Sequence, residues 1–192
     1  MTIGAATGTY LVSVPPSVSL PEAPVEEALV GPATARLFQA HAEEVWRFLK
    51  YLGVREPDLQ DACQEVFLVA HRKLPEFRGD SAPRTWLYGI SLRVAKTWRR
   101  RRQLVPLGDD ERSVGPSQEH ERERRDTHEL LCWALDSISE AQREVFVLHE
   151  IEELPMAQVA ARLECGLFTA YSRLRLARRA LKRALAEKGV KR

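Results

Sequence analysis

Glycine is scarce, at 10 of 192 residues, and aromatic side chains make up only 7% of the chain. Few stretches alternate apolar with polar side chains, which favours helices over sheet. Cysteine is limited to Cys63, Cys132 and Cys165. Three widely spaced thiols make neither a disulfide framework nor a metal-ligand cluster, and each falls on or beside an apolar face, as buried thiols do. No apolar run reaches the ~18 residues of a transmembrane helix. The N-terminus has no basic segment ahead of its short apolar stretch, so no signal peptide is expected. These absences predict a cytoplasmic chain with no membrane insertion.

Basic residues are missing from residues 1–35, which carry Glu22, Glu26 and Glu27 for a charge of −3. What the chain does have is basic charge concentrated elsewhere. Arg93, Lys96, Arg99, Arg100, Arg101 and Arg102 give residues 93–102 a charge of +6, and residues 171–192 set nine bases against Glu187 for +8. On a chain whose net charge is only +2, two such blocks read as two polyanion footprints. Two solvated helix faces are the other reading of the same charges.

The hydrophobic fraction of 44% suffices for a core. Residues 1–33, with Pro15, Pro16, Pro21, Pro24 and Pro32, read as a flexible extension in which residues 25–30 could form a transient helical turn. Three helices follow over residues 34–104. Leu37, His41, Val45, Phe48, Leu49 and Leu52 stripe the first, which ends near Gly53. Asp58 is a candidate cap for the second, whose stripe is Leu59, Ala62, Cys63, Val66, Phe67, Ala70 and Leu74; Pro75 ends it. A polar turn, Phe77-Arg78-Gly79-Asp80-Ser81, leads to the third, with Ser81 as candidate cap and Pro83 in the first turn. It runs from about Arg84 to Arg102, with Leu87, Ile90, Val94 and Trp98 inward. Residues 105–127 lose the pattern and read as a linker. In residues 128–192, Ser139-Glu140-Ala141-Gln142 forms a capping box, Pro155 opens a short helix, and Glu164-Cys165-Gly166 makes a tight turn into a last helix. The fold class expected is all-α: two small helical domains joined by a flexible linker.

Three constellations bear on function. The first is helix, tight turn and Arg-rich helix, with Ala160 at the crossing and Val159, Leu163 and Ala170 inward, as in a helix-turn-helix that lays its second helix in the DNA major groove. Thr169, Tyr171, Ser172, Arg173 and Arg175 are its candidate DNA face; a helical hairpin with a basic surface fits the periodicity equally. The second combines the polar turn, Trp86, Tyr88, Trp98 and the arginine run, a combination that suits single-stranded DNA. Trp86 and Trp98 lie near the apolar stripe, which leaves Tyr88 as the contact candidate. The third is an acidic-amphipathic helix with Asp58, Asp61 and Glu65, better suited to a protein face than to a cation. No catalytic triad, phosphate loop or metal cluster is present, so no enzyme activity and no cofactor are expected.

Asp58-Leu59-Gln60-Asp61-Ala62-Cys63-Gln64-Glu65-Val66-Phe67 resembles the polymerase-binding helix of the extracytoplasmic-function (ECF) sigma factors of bacterial RNA polymerase. The polar turn followed by Arg84-Thr85-Trp86-Leu87-Tyr88 is similar to that family's −10 segment, and residues 135–186 resemble its −35-binding domain. The resemblance implies core-polymerase contacts at Asp58, Asp61, Gln64, Glu65 and Phe67. It implies capture of a −10 base by Phe77, Arg78, Asp80, Ser81, Tyr88, Arg93 and Lys96. It implies −35 duplex contacts at Phe168, Thr169, Tyr171, Ser172, Arg173, Arg175 and Arg178. Core RNA polymerase, promoter DNA and an anti-sigma factor are the partners it implies. Arg93 stands where many relatives have Asn. Glu164-Cys165-Gly166 replaces their usual Gly-Cys-Pro, and Phe168 and Tyr171 replace a small residue and a Lys. Base preference therefore does not carry over. A helix-turn-helix regulator acting without polymerase would explain only residues 139–186, and a purely helical adaptor would leave both basic blocks as solubilising surface.

Overall fold

The computed structural model describes residues 32–104 and 119–189, and among these every regular element is a helix. The expected N-terminal extension, apart from the start of the first helix, and the greater part of the linker lie outside the described residues.

The first domain packs three helices around one core. α1, Pro32–Tyr51, buries Ala42, Val45, Phe48, Leu49 and Tyr51, and Leu52 just past its end is buried as well. Gly53 ends it at φ +86, the left-handed conformation that glycine adopts without a Cβ penalty. The Gly53 amide donates to the Lys50 carbonyl at 2.9 Å and the Val54 amide to that of Leu49 at 3.1 Å, the paired bonds of a Schellman termination. α2, Leu59–Lys73, buries Leu59, Ala62, Cys63, Val66, Phe67 and Ala70 against α1 and α3. Asp58 does not cap it. A 3-10 turn, Glu56–Asp58, precedes the helix, the Asp58 backbone is already helical, and its carboxylate accepts from Arg55 Nε at 2.8 Å instead. α3, Pro83–Leu104, opens with Pro83 at its first position, so Ala82 and not Ser81 occupies the cap site. The Ala82 carbonyl accepts the Trp86 amide at 3.1 Å.

α4, Glu119–Asp136, begins well inside the stretch expected to be linker. Residues 119–127 are mostly Glu and Arg, strong helix formers without an apolar stripe to announce them. α5, Glu140–Phe146, starts at the predicted capping box, where the Ser139 amide donates to Gln142 Oε1 at 3.4 Å. The helix widens into one π turn at Val147–Ile151. α6, Met156–Arg162, and α7, Leu167–Glu187, bury Leu148, Val159, Ala160, Ala170, Leu174, Ala177 and Leu181, which continue the hydrophobic core of the first domain. Cys63 is buried and Cys132 and Cys165 half-buried. Burial pushes the Cys63 thiol up to about 12 and that of Cys132 up to about 11, keeping both protonated. Among the described residues no helix is long and apolar enough to cross a membrane.

Candidate nucleic-acid and polymerase interfaces

The turn between α6 and α7 sets the angle of the basic helix. The Cys165 amide donates to the Ala160 carbonyl at 3.0 Å and the Glu164 amide to that of Ala161 at 3.3 Å, closing α6 as Gly53 closes α1. Here the left-handed position, φ +50, is held by Glu164 and not by glycine. Ala170, Leu174, Ala177, Leu181 and Ala184 then face inward at steps of three and four. Phe168, Ser172, Arg175, Arg179 and Lys182 keep the same rhythm on the opposite side, all exposed. Thr169 and Tyr171 are exposed and Arg173 is half-buried. Arg178 is exposed but engaged, donating from Nε to Glu150 Oε1 at 3.1 Å and from Nη2 to the same oxygen. No acidic residue interrupts α7 before Glu187.

In the first domain the segment between α2 and α3 is open. Arg78, Gly79 and Asp80 are exposed and Ser81 half-buried, while Phe77 lies against Trp86 with ring centroids 4.8 Å apart. Arg93 and Lys96 are exposed on α3. Tyr88 is not: it is 1% exposed, its ring stacks on Phe48 at 4.2 Å, and its hydroxyl donates to Glu152. The expectation that Tyr88 is the exposed aromatic is corrected, since α3 is covered by α1 on one side and by the second domain on another. On α3 the half-buried rings are Trp86 and Trp98.

On α2, Asp61 and Gln64 are exposed. Glu65 is half-buried and accepts from Trp98 Nε1 at 2.9 Å, with Arg101 4.0 Å away. Phe67 is 5% exposed and packs edge-on against Phe38 at 4.9 Å, so it lies in the core, as its place in the apolar stripe predicts, and not on the exposed face that the polymerase contact implied by the resemblance would use. The apolar side chain on this face is Leu68, 43% exposed and seven positions from Asp61. That spacing of two helical turns was the signal by which sequence reasoning could have found it.

The two domains also meet. Arg99 of α3 donates to the Leu52 carbonyl at 2.7 Å and pairs with Glu140 at 2.5 Å and Glu144 at 3.2 Å. Arg143 of α5 donates to the same carbonyl at 3.2 Å, to that of Leu135 at 2.9 Å, and pairs with Asp136 at 3.0 Å. Burial raises Glu144 and Glu152 above the ordinary carboxylate range, although Arg99 pulls the first down and the Tyr88 hydroxyl pulls the second down. His128 of α4 lies on Tyr51 with centroids 5.1 Å apart. Arg162 of α6 reaches α3, where a Cβ on Gly89 would stand 2.8 Å from its Nη1. Lys73, Glu76, Trp86, Ile90, Arg93 and Arg162 thereby line one cleft between the domains. Among the described residues no cluster of three or more His, Cys, Asp or Glu could hold a metal.

Residues 37–105 match the family model for sigma-70 region 2, and residues 134–181 that for sigma-70 region 4. The RNA polymerase sigma-H factor of Pseudomonas aeruginosa is 31% identical over 141 residues, 67% of this chain and 73% of that protein. The ECF RNA polymerase sigma-E factor of Escherichia coli is 28% identical over 137 residues, 65% of this chain and 72% of that protein. Two solved structures share the fold. The sigma factor RpoE of Bartonella quintana, crystallised with the anti-sigma factor NepR, has a TM-score of 0.66 at 21% identity, covering 80% of this chain and 97% of that chain. CnrH in complex with the cytosolic domain of CnrY has a TM-score of 0.61 at 24% identity, over 81% and 88%.

Proposed function

Because the chain belongs to the ECF sigma factors of bacterial RNA polymerase, we propose how its residues divide the work of promoter recognition. The chain is a sigma factor that binds core polymerase and promoter DNA and directs transcription initiation. Asp61, Gln64 and Leu68 form the polymerase-binding face of α2, with Asp58 at its edge. Glu65 contributes by fixing α3 through Trp98. Phe77, Arg78, Asp80, Ser81, Arg93 and Lys96 take the −10 strand after it opens. Extracting a base costs a few kcal/mol, which stacking and backbone contacts offset. Tyr88 positions α3 and does not touch the base while the domains are docked. Phe168, Thr169, Tyr171, Ser172, Arg173 and Arg175 meet the −35 duplex, and Arg178 joins them when it leaves Glu150.

The polymerase performs the chemistry and this chain none. Its compartment is the cytoplasm, where polymerase and promoter are. An anti-sigma factor regulates it, by analogy with the RpoE–NepR and CnrH–CnrY complexes.

The observation that carries this reading is the pairing, on one chain, of an exposed acidic-apolar face on α2 with an acid-free basic face on α7. A regulator acting without polymerase has no use for the first. Pull-down by core polymerase tests it. Asp61→Arg with Leu68→Arg should abolish capture while circular dichroism stays unchanged. Undiminished capture would remove α2 from the interface.

A further inference from the structure

Phe168 is 91% exposed, and its neighbours Leu167 and Tyr171 are 45% and 53% exposed. Of the five large hydrophobic side chains exposed among the described residues, these three share the first turns of α7. Among the described residues nothing covers them. Ordinary surfaces scatter exposed apolar groups singly, so a cluster marks a contact surface. Its surroundings choose the occupant. Phe168 begins the exposed row that continues through Ser172, Arg175, Arg179 and Lys182, and α7 carries no acid before Glu187. An apolar cap at the head of a cationic row suits a polyanion that offers an apolar group at the helix start.

We propose that Phe168, flanked by Leu167 and Tyr171, reads thymine in the −35 duplex by packing its ring on the C5 methyl group. The inference rests on the assignment of α7 to that duplex. The first residues of a recognition helix are those that reach base edges. In the major groove only thymine presents a methyl group there, and an apolar side chain is its complement. Phenylalanine has no donor or acceptor, so it offers nothing to the hydrogen-bonding edges of guanine, cytosine or adenine. Arg173 and Arg175 supply phosphate contacts that are indifferent to sequence and hold the ring in register.

The probe is a duplex library randomised upstream of a fixed −10 element, selected by holoenzyme assembled from the full chain and core polymerase. Selected duplexes are then remade with uracil replacing each thymine in turn, which deletes the methyl group and nothing else. The expected result is a thymine column in the selected set at which uracil weakens binding about fourfold, the factor for one methyl group returned to water. Phe168→Ala should bind the thymine and uracil duplexes alike, whereas Arg175→Ala should weaken both and preserve the difference. A selected set without such a column, or wild-type indifference to uracil at every thymine, overturns the proposal. So does a Phe168→Ala protein that keeps wild-type discrimination, which would turn the apolar cap toward a protein partner. If the wild-type holoenzyme selects no upstream sequence at all, the assignment of α7 fails first and takes the proposal with it.

Discussion

The hydroxyl of Tyr88 on α3 donates a hydrogen bond to the carboxylate of Glu152, joining two buried groups 64 positions apart in the two domains. The stack on Phe48 holds the ring whether or not the hydroxyl is there. Tyr88→Phe therefore removes the bond alone and leaves a buried carboxylate without its donor, a loss of ~1–3 kcal/mol in docking. Energy transfer between dyes placed at exposed Gln60 and Lys182 should report more separated molecules. Glu152→Gln, which can still accept from the phenol, should stay nearer the wild-type distribution. Identical distributions for Tyr88→Phe and wild type would show that this bond does not hold the domains.

Gly53→Ala should destabilise the chain by more than about 1 kcal/mol, because alanine is poorly accommodated at φ +86. A second cause adds to the first: the new Cβ would stand 1.8 Å from Arg143 Nη1. Urea unfolding of Gly53→Ala, Arg143→Ala and the double variant separates the two. Removing the arginine relieves the clash, so the double variant should be more stable than the sum predicts by ~0.5–3 kcal/mol.

At Glu164 the opposite substitution should stabilise. A non-glycine residue in the left-handed region costs roughly 1–2 kcal/mol, and this one terminates α6 at φ +50. Glu164→Gly should raise the unfolding midpoint of the second domain by an amount in that range, less the entropy glycine restores to the unfolded chain. Glu153, at φ +55, serves as the comparison site for the same change.

Acid should loosen the docked form through His128. Burial, helped by Lys50 and Arg47, lowers its pKa from 6.5 to about 4. Its folded pKa lies below the unfolded one, so the unfolded chain takes up the proton first. The contribution is complete above about pH 6.5 and is lost as pH falls toward 4. Melting temperatures of wild type and His128→Phe across that window should converge or cross, with the variant the less sensitive to acid. Parallel curves would exclude His128 as the source. Glu144 and Glu152 are raised, act in the opposite sense, and are common to both proteins.

In holoenzyme, Phe77→Ala and Arg93→Ala should slow promoter opening more than initial binding. Contacts to an unstacked base, worth ~1–3 kcal/mol each, exist only after the strand has parted. Permanganate reactivity on a duplex promoter should fall, and the defect should shrink on a template already melted across the −10 region. Equal defects on both templates would assign these residues to closed-complex binding.

The helices were legible where one face alone is buried. Leu174, Ala177 and Leu181 on α7 and Val45, Phe48 and Leu49 on α1, continued by Leu52 just past its end, keep a clean period, and the capping box at Ser139 and the glycine stop at Gly53 stand where the sequence put them. The misreading of α3 has its source in burial on more than one side. α3 buries Thr85, Leu87, Tyr88, Ile90, Ser91, Leu92, Val94 and Ala95, too wide an arc for a single stripe, so Tyr88 looked outward. Phe67 sits in the inward stripe where its periodicity put it, covered by Phe38, and only the contact role implied by the resemblance asked for it at the surface. Domain docking was invisible because its polar bonds join residues 41 to 91 positions apart. α4 was shortened because its opening turns are charged all round.

The Leu52 carbonyl ends α1 and accepts from two guanidinium groups, Arg99 of its own domain and Arg143 of the other. A helix C-terminus carries partial negative charge, and cations placed there stabilise it. One of the two cations that complete α1 is thus lent by a different module, which limits how freely modules can be exchanged. A chimera that grafts a foreign second domain onto residues 32–104 inherits that cation only if the donor has an arginine where Arg143 stands. It must also have room beside it for the glycine turn at Gly53. Grafts that break this match would retain both recognition surfaces and still lose the joint between them.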